Sequence, residues 1–148
     1  MKKRSQPMYQ FLMADYFRTL QWHFRNCHLK VNMKLLANNS IEIRLPIGSN
    51  YFALISIGGY ISLEFYNIDC ATPGLEYIKF VNLTLEDIPT ELAEIYEESK
   101  SGLYLYPHSP SLDILKTVTF IQKHNAEMLI LLEGANMMEC DKETVKPF

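Results

Sequence analysis

"KVNMKLLANNSIEIRLP" (30–46) decides the fold. Val31, Met33 and Leu35 alternate with Asn32 and Lys34, and Ile41, Ile43 and Leu45 alternate with Glu42 and Arg44. A period of two puts each apolar set on one side of a strand. "ANNS" between them has turn composition, because Asn and Ser side chains bond to nearby backbone. The spacing predicts a β-hairpin with one wet face.

Downstream the strand signal continues. "YFALISI" (51–57) and "YISLEFYN" (60–67) flank Gly58-Gly59, a pair that accepts the positive φ of a tight turn. The first is apolar on both sides and belongs in the middle of a sheet. "LEYIKFVNL" (75–83) follows the loop "IDCATPG" as a further strand. Connections this short favour an antiparallel meander.

Upstream the period changes. Residues 6–28 lack Gly and hold Pro only at position 7, where a first helical turn tolerates it. Tyr9, Met13, Tyr16, Leu20, Phe24 and Cys27 recur every three or four residues, the buried stripe of a helix. Beyond the strands, "LEDIPTELAEIYEES" (85–99) reads as one amphipathic helix with Ile88, Leu92, Ile95 and Tyr96 inward. "SPSLDILKTVTFIQKHN" (109–125) reads as another, with Ser109 as N-cap and Pro110 in its first turn, although Thr117-Val118-Thr119 is strand-like. Periodicity cannot assign "AEMLILLEG" (126–134), and the last dozen residues read as a frayed tail. The expected fold is α+β over a single domain, 1–148. An antiparallel sheet of about five strands carries an N-terminal helix and two or three C-terminal helices packed on it.

A chain of 148 residues is expected to bury roughly 68–70% of its unfolded surface, so it needs no metal or disulfide to fold. Three widely spaced cysteines, Cys27, Cys70 and Cys140, argue against a disulfide framework and for a reducing, cytoplasmic setting. The opening "MKKRSQPMYQFLMADYF" is basic but lacks the apolar core of a signal peptide. The longest uncharged run (45–63) contains Pro46 and three glycines, which reads as two strands and not as a membrane span.

Charge is unevenly placed. Residues 1–50 carry eight Lys/Arg against Asp15 and Glu42, a surplus of six positive charges. Residues 51–148 carry six Lys against fifteen acids, a surplus of nine negative charges. Such polarity attracts and orients partners; it does not specify a fold.

"WHFRNCH" (22–28) gathers the chain's one tryptophan with two histidines, a cysteine and an arginine. His23 and Cys27 lie four apart and share a side, but two ligands do not hold a metal and no second pair stands at ligand spacing. Cys27 falls within the apolar stripe and is expected to pack. The opposite side of the helix is different. Phe11, Arg18, Trp22 and Arg25 project together there, at intervals of seven, four and three. Trp and Arg dominate interface hot spots. Burial of this side by a C-terminal helix is the competing structural explanation.

The acidic segment sets Asp87, Glu91, Glu94 and Glu98 away from its apolar side. Solvation alone explains most such acidic faces; the functional reading is a docking surface for a strongly basic protein. Cys70 in its loop and His108 beside Ser109 are loose parts for a hydrolase or transferase, without a nucleophile elbow. No phosphate loop, dinucleotide fingerprint or HExxH is present. No metal or cofactor is expected. The composition favours a small cytoplasmic protein-binding module that neutralises or chaperones a basic partner, as immunity proteins, antitoxins, anti-defence inhibitors and secretion chaperones do. The Trp22 face could equally pair two copies as a homodimer. One alternative is a single-stranded nucleic-acid binder using Lys2, Lys3, Arg4, Arg18, Arg25 and Trp22; the enzyme is the other.

Overall fold

The computed structural model describes residues 2–58, 61–72, 75–93 and 112–139, with side chains over 13–58, 61–68, 80–93 and 114–138. Helix α1 (Lys2–Asn26) leads into strands β1 (Asn32–Leu35), β2 (Ile41–Ile47), β3 (Tyr51–Ile57), β4 (Ile61–Thr72) and β5 (Leu75–Asn82). Helices α2 (Leu112–Lys123) and α3 (Asn125–Glu133) then precede strand β6 (Asn136–Glu139). The six strands lie in sequence order and every neighbouring pair is antiparallel. The fold is α+β.

The deciding hairpin forms as its alternation requires, with Leu35 opposite Ile41 and Met33 opposite Ile43. Its turn is closed by Leu36 N–H donating to the Ser40 carbonyl (2.8 Å), while Asn39 takes a left-handed φ of 65°. The Asn38 side-chain oxygen accepts from the Ser40 hydroxyl at 2.6 Å. These are the turn uses of Asn and Ser.

Register sorts side chains between the two sheet faces. Ile41, Ile43, Leu45 and Ile47 of β2, with Ala53, Ile55, Ile57, Leu63, Phe65 and Val81, form one buried face. Met13, Tyr16, Leu20 and Phe24 of α1, Ile114, Val118 and Ile121 of α2, and Met128 and Leu132 of α3 complete that core. The other face carries Phe52, Leu54 and Tyr66, with Ile68 and Phe80 packed against them. Phe52 stacks on Tyr66 at 5.3 Å, Tyr66 meets Phe80 edge-on at 5.7 Å, and the Arg44 guanidinium sits 4.5 Å over Phe52. Burial pushes the Arg44 pKa down, while Glu42 and Tyr66 pull it back up.

Four expectations change. Strand β6 runs into the supposed tail, where Met137 and Met138 pair with Val81 and Phe80 on the edge of β5. Strand β4 runs on to Thr72, so Cys70 lies in a strand with a register irregularity between Asp69 and Thr72, and not in a loop. The unassigned segment is helix α3, joined to α2 at His124. The His124 carbonyl accepts from Met128 N–H (3.0 Å), and its ring pairs with Glu127 at 2.7 Å. Lastly, the acidic helix is split. Residues 85–87 make one 3-10 turn, Ile88 is extended, and helix restarts at 90. Pro89 lacks the N–H a continuous helix needs, and it pushes the residue before it out of helical geometry. The segment's residues beyond 93 and the Ser109/Pro110 start lie outside the described residues.

Helix α3 is pinned to the β2–β3 turn. Asn125 donates to the Pro46 carbonyl (2.9 Å) and accepts from Gly48 N–H (3.2 Å). Gln122 donates to the Lys30 carbonyl (2.7 Å), tying α2 to the connection between α1 and β1. That connection builds the surface described next.

Candidate functional site

Helix α1 buries Met13, Tyr16, Leu20 and Phe24, which turns Arg18, Gln21, Trp22 and Arg25 to the outside. Trp22 is 57% exposed, with its indole edge-on to the His23 ring at 5.0 Å. Arg18 reaches Asp15 at 3.2 Å, a solvated pair worth well under about 1 kcal/mol. The side chain of Phe11 lies outside the described residues.

The end of α1 explains the rest of "WHFRNCH". Leu29 N–H donates to the Phe24 carbonyl (2.9 Å) and His28 N–H to the Arg25 carbonyl (3.0 Å). His28 has a φ of 57°. Together these are a Schellman motif with histidine in the left-handed position. The chain reverses there, so Leu29 and Phe24 line the same recess. Cys27 therefore leaves the stripe it was expected to join and is exposed. The helix ends one residue before it, and Leu29 folds back beside Phe24.

The reversal opens a groove of about 260 Å³ between α1 and β1, lined by Gln21, Phe24, Arg25, Leu29, Val31 and Met33. Sequence reasoning found Arg25 but missed the other five. The available signal was the odd-numbered series Leu29, Val31, Met33 running straight out of a helix end. Charge along the sequence that builds it is one-sided. Residues 16–41 hold Arg18, Arg25, Lys30 and Lys34 and no acid.

The acidic positions are dispersed. Glu86, Asp87 and Glu91 are exposed, but Asp87 turns back on its own backbone. Its carboxylate accepts from the Thr84 hydroxyl (2.7 Å) and Thr84 N–H (3.3 Å), closing the 3-10 turn. Ile88 and Leu92 anchor this stretch in the core. Glu94 and Glu98 lie outside the described residues, as do His108 and Ser109. Among the described residues no group of three or more His, Cys, Asp or Glu is placed to hold a metal, and no helix is long and apolar enough to cross a membrane.

Neither a protein-family model, nor a curated protein, nor a solved structure matches this chain.

Proposed function

We propose that the chain is a protein-binding module whose contact surface is the outer side of α1 with the groove beside it. The observation that carries this reading is Trp22, a large indole 57% exposed between two exposed arginines and beside a recess that Phe24, Leu29, Val31 and Met33 line together with Gln21 and Arg25. Burying it on a partner removes apolar surface from water while the arginines find acceptors at the rim, the composition of a hot spot. The nine-charge acidic surplus of residues 51–148 suits a partner of positive net charge, through faster and salt-sensitive encounter. Neutralising or chaperoning that partner is the role such a surface best serves.

The test is purification of the tagged protein from its host, with and without nuclease, beside the Trp22→Ala/Arg25→Glu variant. One stoichiometric basic protein, retained after nuclease and lost in the variant, supports the module. Nuclease-sensitive recovery, or equal capture by the variant, contradicts it. Charge reversal at Glu91, Glu94 and Glu98 should slow association and flatten its salt dependence; unchanged rates would remove the acidic segment from the account.

A further inference from the structure

Strand β1 is one edge of the sheet. Leu36 donates to Ser40, so the hydrogen-bonded pairs of the hairpin are 36 with 40, 34 with 42 and 32 with 44. Met33 and Leu35 therefore aim their N–H and C=O groups away from β2, toward an edge that no described strand pairs. The same two side chains lie on the core-facing side, where Met33 lines the groove. Asn32 and Lys34 lie on the opposite side and are exposed. A strand laid along this edge would set alternate side chains over the groove and the intervening ones beside Lys34.

We propose that the β1 edge receives an extended segment of the partner protein, apolar at alternate positions and carboxylate-bearing at others, as an added strand. This rests on the binding-module reading and names the chemistry of what is bound. Backbone groups of Met33 and Leu35 supply affinity, and the groove selects apolar side chains at every second position. Charge complementarity fixes the rest. Lys34 stands on the side the carboxylates face and Lys30 is exposed just before the strand, with no acid between Asp15 and Glu42 in the sequence. Glu42 opposite Lys34 offsets one of these charges from the inner side, and Lys30 keeps the surplus. A four-residue edge bearing lysine ordinarily discourages indiscriminate strand pairing. The same lysine accommodates a strand that brings carboxylates.

The experiment pans a displayed random library of peptides about ten residues long, a generous strand length, against the full chain. The expected winners alternate apolar residues with Asp or Glu. N-methylation of one alternating set of their amides lowers affinity at least about tenfold, and methylation of the other set does not, as one-sided backbone pairing requires. Lys30→Glu lowers affinity about fivefold or more. Binding slows hydrogen exchange at the Met33 and Leu35 amides. Winners rich in Lys or Arg, equal effects of both methylated sets, or an empty selection overturn the proposal. Peptides that bind at Trp22 while Met33 and Leu35 exchange at the free rate overturn strand addition and leave the binding module standing. Concentration-dependent self-association that protects these two amides assigns the edge to a second copy of the chain and overturns the partner segment.

Discussion

Gly48→Ala tests how helix α3 is seated on the sheet. Gly48 has a φ of +64°, in the left-handed region, which costs a residue with a Cβ about 1–2 kcal/mol. A Cβ there would also stand 2.9 Å from Leu129 Cδ1 and 3.0 Å from Cδ2. Leu129 is half-buried against the core, so its isobutyl end must leave its rotamer, at about 0.5–1.5 kcal/mol. The sum is about 1.5–3.5 kcal/mol. Urea unfolding reads it directly, and a slope near 2 kcal/mol per M puts the midpoint about 0.7–1.8 M lower. Leu129→Ala removes the clash but not the backbone strain. The double variant should therefore be less destabilised than the two single losses together, by roughly 0.5–1.5 kcal/mol. Strict additivity, or a Gly48→Ala loss below about 0.5 kcal/mol, would refute the docking of α3 on this turn.

Other outcomes follow from single contacts. His28→Gly relieves the left-handed strain at the end of α1 and should stabilise the fold by about 0.5–1 kcal/mol, read as a higher thermal midpoint. Asn125→Asp keeps the acceptor for Gly48 N–H but sets a carboxylate oxygen against the Pro46 carbonyl. It should cost about 1–3 kcal/mol in urea unfolding. Cys27→Ser should change stability by less than about 0.5 kcal/mol and remove one fast-reacting thiol from the native protein, because Cys27 is exposed.

The strands were legible because alternation is unambiguous when one side is core. Ile41, Ile43 and Leu45 lie inside, as the sequence implies, but the face expected to be wet is half-buried at Glu42 and Arg44, because Arg44 covers Phe52 there. Helix α1 was legible for the same reason, up to Phe24. Its end was not, because histidine is a rare occupant of a left-handed cap and nothing in the local composition marks His28 for it. That one dihedral moves Cys27 out and Leu29 in, and so creates the groove. Pro89 was visible, yet the helical spacing of Ile88, Leu92 and Ile95 outweighed it in the reading. Strand β6 was missed because four residues, "NMME", gain their strand from pairing with β5 and not from their own pattern. Exposure of Trp22 followed from the stripe on the other side of the helix, whereas the groove depended on tertiary reversal.

The central claim concerns the environment of Trp22, the chain's one tryptophan. Fluorotryptophan labelling gives a single fluorine resonance from that site, and the captured partner contributes none. With Trp22 57% exposed, the free protein should give a signal sensitive to solvent isotope. On adding the unlabelled partner, the account predicts a shifted resonance that loses this sensitivity at one equivalent. A complex that forms at the same stoichiometry with the resonance and its solvent sensitivity unchanged would place binding elsewhere and contradict the account.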